Sequence, residues 1–180
     1  AGEGHAEVVE ALLAAGAAVD QEASGSGVTP LFMAAQNGKL EAVAALLRGG
    51  AEVDRPMRGV GATPLFMAAQ GGHHEVARAL LRSGADANRP TAERAGSSRP
   101  LWVAAEGGHV QVVRALLADG GAEADLPLER TGTTPLFMAA RGGHLACVEA
   151  LLGAGADPRR AASQPPGATP LSAASDHPAV

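Results

Sequence analysis

Thr29-Pro30-Leu31-Phe32-Met33-Ala34-Ala35, with Gly38 three residues on, reads as a short helix carrying its own start and stop signals. The Thr29 hydroxyl can accept from the free amides of a first helical turn. Pro30 fits the first helical position, where its missing N–H costs nothing. Past Gly38, residues 40–48 place Leu40, Val43, Leu46 and Leu47 on one apolar stripe of a second helix. Gly49-Gly50 ends it, since glycine tolerates the left-handed conformation that follows a helix. A polar, Gly- and Pro-rich stretch then leads to the next Thr-Pro. Two helices this short cannot bury a core alone, but stacked copies can.

The copies are present. Thr-Pro-Leu returns at Thr63, Thr134 and Thr169, and Arg99-Pro100-Leu101 fills the gap, so successive units begin 34, 36, 35 and 35 residues apart. Leu-Leu pairs at 12–13, 46–47, 80–81, 116–117 and 151–152 keep the same register, and so do Gly-Ala pairs at 16–17, 50–51, 84–85, 121–122 and 155–156. Three markers in one register rule out coincidence and predict a solenoid of stacked units.

Composition agrees. Of 180 residues, 41 are Ala and 24 Gly, with one Trp, three Phe and no Tyr, which excludes an aromatic-rich core and favours close backbone approach. A net charge of −5 argues against a chain-wide nucleic-acid footprint. One Cys excludes a disulfide framework and points to a reducing compartment. No apolar run approaches the ~18 residues of a membrane-spanning helix, so direct membrane insertion is not expected.

The repeated signature, seen best in Thr63-Pro64-Leu65-Phe66-Met67-Ala68-Ala69, Gly72-His73, Leu80-Leu81, Gly84-Ala85-Asp86 and Asn88, resembles that of the ankyrin repeat family over essentially the whole chain. A tetratricopeptide array would need its own Trp, Tyr and Pro pattern, which is absent. The resemblance implies an all-α repeat solenoid of stacked helix-turn-helix units with β-hairpin or loop fingers. The expected division is one array: a partial repeat over 1–28, repeats at 29–62, 63–98, 99–133 and 134–168, and a partial repeat over 169–180. Neither end reads as a polar cap, and Pro178 stands where Gly38 stands, so an excerpt of a longer chain is expected. Two departures matter. The family's His after Leu is Phe32, Phe66, Trp102, Phe137 and Ser172, so its Thr–His bond is expected to give way to an apolar contact. The fingers are also longer than usual, a change that costs little entropy.

Catalytic and metal readings fail on spacing. His5, His73, His109 and His144 occupy one equivalent position, and equivalent residues on stacked helices lie roughly 8–10 Å apart, too far to share an ion held at about 2.0–2.1 Å. Each is expected to order the turn between two helices, with Lys39 in its place once. His74 is expected at a partly exposed helix edge. Cys147 aligns with Val8, Ala42, Val76 and Val112 and reads as a small buried hydrophobe. The Gly-rich pieces lack the Lys-Ser/Thr of phosphate loops and read as turns. Glu7, Glu10, Glu41, Glu75 and Glu149 fall on the solvated outer face of second helices. No enzyme activity, cofactor, metal, nucleic acid or small-molecule ligand is expected.

Charge sorting is the remaining functional signal. The fingers (21–28, 55–62, 89–98, 126–133 and 159–168) hold seven arginines and three glutamates, a net of +4 that leaves −9 for the remainder. The resemblance implies that fingers and first-helix ends line a concave binding face. The candidate partner-binding residues are therefore Arg55, Met57, Arg58, Arg89, Arg94, Leu128 and Arg130 on fingers, with Gln36, Asn37, Gln70, Glu106 and Arg141 at helix ends. The expected function is a non-enzymatic scaffold, intracellular and cytoplasmic (an organelle is left open), that holds another protein with an acidic patch. The alternatives are a recognition module of a larger enzyme or channel, or a bridging subunit of a large assembly.

Overall fold

The computed structural model describes residues 3–23, 25–93 and 96–175, with side chains from Ala6 onward. Arg94, Pro178 and the His5 side chain lie outside the described residues. The helices are α1 (Glu3–Ala14), α2 (Pro30–Gln36), α3 (Leu40–Arg48), α4 (Pro64–Gln70), α5 (His74–Arg82), α6 (Pro100–Glu106), α7 (Val110–Ala118), α8 (Pro135–Arg141), α9 (Leu145–Gly153) and α10 (Pro170–Ser175).

Each first helix starts as its cap dictates. Thr29, Thr63 and Thr134 stand extended before Pro, and each Oγ1 accepts the N–H three residues on, from Phe32, Phe66 and Phe137, at 3.2 Å. Arg99 supplies no such bond to α6. At α10 the bonds are reciprocal: Ser172 N–H donates to Thr169 Oγ1 at 3.3 Å, and Thr169 N–H donates to Ser172 Oγ at 2.9 Å. With hydroxyls committed to caps, Phe32, Phe66 and Phe137 turn inward and are buried. That is the apolar contact expected in place of the Thr–His bond.

The helices form two layers. First helices α2, α4, α6, α8 and α10 stack successively, and second helices α1, α3, α5, α7 and α9 do the same behind them. The core lies between. Leu31, Leu65, Leu101 and Leu136 of the first layer meet Val43, Val76, Leu80, Val112, Leu116 and Leu151 of the second. Ala35, Ala69, Ala104, Ala105 and Ala139 are fully buried among them, which lets the backbones approach closely. Cys147 is 1% exposed and packs as the hydrophobe expected of it. Glu41, Glu75 and Glu149 are exposed.

One expected packing position fails. Leu46, Leu80, Leu81, Leu116 and Leu151 are buried, and Leu47 and Leu117 pack against the core, but Leu152 is 43% exposed. Helix α9 is covered by α7 and α8, whereas α10 continues the first layer on α8, so nothing described covers the far side of α9.

The histidines do more than order a turn. Nε2–H of His73, His109 and His144 donates to the carbonyl of Gln36, Gln70 and Glu106, the last residue of the preceding repeat's first helix, at 3.1, 3.1 and 3.0 Å. Each staples one repeat to the one before. The fit explains the flanking glycines: a Cβ on Gly72 would lie 2.6 Å from His109 Nδ1, and one on Gly107 2.6 Å from its Nε2. His74 sits at the exposed edge, 3.1 Å from Glu75.

The fingers are pinched loops rather than β-hairpins. The neck of each is closed by a backbone bond, from Ala23, Met57, Thr91, Leu128 and Ala162 N–H to Val28, Ala62, Ser98, Thr133 and Ala168 O, at 2.8–2.9 Å, with a tighter turn inside it. Among the described residues no strand forms, only the isolated bridge between Ala23 and Val28. The next ladder donors, two residues back, turn instead to their own loop: Gln21, Arg55, Arg89, Leu126 and Arg160 N–H donate to Ala18, Glu52, Asp86, Glu123 and Asp157 O at 3.1–3.4 Å.

Candidate partner-binding groove

Side-by-side fingers wall one edge of the first-helix layer. Arg58 N–H donates to Ser26 O at 2.9 Å, Ala92 N–H to Val60 O at 2.7 Å, and Ser163 N–H to Thr131 O at 2.8 Å. These bonds need bare backbone next to them. A Cβ on Gly27, Gly61 or Gly132 would lie 2.6–2.9 Å from the incoming amide nitrogen. The equivalent residue of the third finger is Ser97, left-handed at φ 53°, and there the backbone bond to the next finger is replaced by side chains. Ser97 Oγ–H donates to Glu129 Oε2 at 2.9 Å, and Arg99 Nη1–H donates to Pro127 O at 3.1 Å.

Between this wall and the first helices runs a groove of about 570 Å³. Phe32, Met33 and Gln36 enter it from α2, Phe66, Met67 and Gln70 from α4, and Trp102, Val103 and Glu106 from α6. Val28, Met57, Val60, Thr91 and Ser98 enter from the fingers. The helical contribution follows from spacing: Met33 and Gln36, like Met67 and Gln70, are three residues apart and share one face. The groove is thus an apolar floor with an amide or carboxylate at the C-terminal end of each helix.

Of the twelve candidate residues, the groove brings together Gln36, Met57, Gln70 and Glu106. Arg94 is outside the described residues, and the other seven lie elsewhere. Asn37 turns back, Nδ2–H donating to Met33 O at 2.7 Å. Arg141 is exposed on α8, Arg130 is exposed, and Arg89 and Leu128 are half-buried on their fingers. Arg55 and Arg58 are committed within the molecule: both Nη2 groups meet Glu22 Oε1 of the preceding finger, at 2.6 and 3.2 Å. The hydrogen bond from Arg55, with Arg58 beside it, holds the Glu22 carboxyl below its ordinary range, and the same bond raises Arg55. Two of the charges expected to face a partner therefore clasp one finger to the next. Arg99 also binds its neighbour.

Met33, Met67, Phe32, Phe66 and Trp102 are not among the candidates, since the sequence places them only within the first-helix signature. Their i, i+3 or i, i+4 spacing from Gln36, Gln70 and Glu106, which puts them on one helix face, is the signal available. Among the described residues no three His, Cys, Asp or Glu side chains could hold a metal ion, and no helix is long and apolar enough to cross a membrane. A family model described as ankyrin repeats (3 copies) matches residues 1–91 and again 92–162. No curated protein matches the chain.

Proposed function

Because the chain belongs to the ankyrin repeat family, whose repeats are protein–protein interaction modules, we propose that it is a non-enzymatic scaffold whose groove along α2, α4 and α6 holds another protein. The observation that carries this reading is the groove itself. Three successive repeats each put aromatic, methionine or valine, and amide or carboxylate side chains into one cleft. Such a floor offers apolar area and the rim offers hydrogen bonds, the division found in protein interfaces. Arg130, Arg159 and Arg160 stay exposed on the fingers and favour a partner with an acidic patch beside its apolar contact. A single cysteine accords with an intracellular, reducing setting.

A photoreactive amino acid placed at Gln70 should form covalent adducts with a discrete partner in cell extract, and the same group at Glu75 on the outer face should not. Adducts from Glu75 alone would put the partner on the other side.

A further inference from the structure

Sulfur in this molecule is distributed unevenly. Of four methionines, Met33, Met57 and Met67 line the single groove described above, while Met138 is 3% exposed. Met33 is 46% exposed, and Met57 and Met67 are partly buried at the groove wall. The lone Cys147 is 1% exposed, and burial pushes its thiol up, away from the reactive thiolate. Oxidants therefore meet thioethers in the groove before any other sulfur.

We propose that Met33, Met57 and Met67 form a peroxide-modifiable site that switches the groove off. The inference rests on the reading of the groove as the partner face. In the step, a thioether sulfur lone pair attacks one oxygen of hydrogen peroxide and the O–O bond breaks. An S=O bond forms, and the departing hydroxide takes the proton to leave as water. Sulfur is oxidised by two electrons and peroxide is reduced. The product is a polar sulfoxide in place of a flexible apolar side chain. Toward Phe32, Phe66, Val60, Val28 and Val103 it finds no side-chain donor; the donors of the lining are Gln36, Gln70, Thr91, Ser98 and Trp102, and a sulfoxide that turns to them leaves the apolar floor. A polar group pressed against such a floor without a partner weakens apolar contact there. A thiol-dependent sulfoxide reductase restores the thioether, two thiols giving up two electrons and two protons to form a disulfide while the oxygen leaves as water, so the switch is reversible.

The experiment uses the whole chain with isotope-labelled methionine methyls, which gives four signals, and anilinonaphthalene sulfonate as the apolar probe. In the reduced protein the dye should perturb the Met33, Met57 and Met67 methyls and spare Met138. Graded hydrogen peroxide should move those three signals to the sulfoxide position while Met138 stays. Dye affinity at the groove should fall about tenfold, the scale of one unpaired buried polar group. A variant with Met33→Leu, Met57→Leu and Met67→Leu should keep its dye affinity through the same treatment. If the dye never perturbs groove methyls in the reduced protein, the groove reading itself fails. Should the dye bind and persist after the three sulfurs are oxidised, only the switch is overturned. Oxidation of Met138 in step with the others would overturn it too, because accessibility would then not decide the order.

Discussion

A glycine between two stacked repeats is the smallest unit on which this fold depends. Gly72 has φ +70°, and a Cβ there would press on the His109 ring at 2.6 Å, so Gly72→Ala meets backbone strain and a collision together. The expected cost is about 1–3 kcal/mol, the range for a strained left-handed residue, read as a fall in the denaturation midpoint; an unchanged midpoint would mean that the histidine staple is slack. The missing cap at Arg99 makes a second residue-scale prediction. Trp102 N–H occupies the position where Phe66 N–H donates to Thr63. Caps contribute ~1 kcal/mol, so Trp102 N–H should exchange faster with solvent than Phe66 N–H. Equal protection would show that Arg99 Nη1–H on Pro127 O holds the helix start as firmly. The absent cap was legible in the sequence, because Arg stands where Thr recurs. The bond that Arg99 makes instead was not, since it reaches a finger 28 residues away.

Helices and fingers differ in how far the sequence determined them. The helix pairs follow from the Thr-Pro start, the Leu-Leu stripe and the Gly stop, all local signals. Burial along a helix depends on what covers it. Leu117 and Leu152 occupy equivalent positions, yet Leu117 packs against the core and Leu152 is 43% exposed, while their neighbours Leu116 and Leu151 are both fully buried. Leu116→Ala should cost about 2–5 kcal/mol, and Leu152→Ala under about 1 kcal/mol, in proportion to the area lost. Comparable losses in chemical denaturation would mean that α9 is covered on both sides. Less of the fingers is legible, because pairing between loops of different repeats leaves no periodic trace. Glu22 is the example: one carboxylate collects Arg55 and Arg58 from the next finger. Its folded-state pKa is depressed, so the stability it contributes is present above its ordinary value of 4.5 and is lost as pH falls through the lowered value. Glu22→Gln should therefore lower the melting temperature at neutral pH and converge with the parent chain in acid. Parallel curves across that window would remove the clasp from the account.

At the scale of the whole molecule, the two layers and the finger wall bring four of twelve candidate residues into one groove and leave the basic fingertips to one side. The sequence carried the polarity of the array, fingers against back, because charge counts need no geometry. It hid the floor, because Met33 and Met67 look like core residues until the wall opposite them is known to stand off. Arg130→Glu, on an exposed fingertip, should slow association with an acidic partner and weaken its salt dependence, at a cost in affinity of only ~0.2–1 kcal/mol. The decisive comparison lies in the floor. Met33→Asp combined with Gln70→Arg leaves net charge unchanged and places both changes in the groove. Glu41→Gln combined with Glu149→Gln alters only the exposed outer face. Calorimetric titration of the crosslinked partner, once purified, against these two variants and the parent chain should show the groove variant losing about 2 kcal/mol or more, as central contacts do. The outer-face variant should stay within about 0.5 kcal/mol of the parent; affinity kept by the groove variant and lost by the outer-face variant would contradict the assignment of the groove as the binding face.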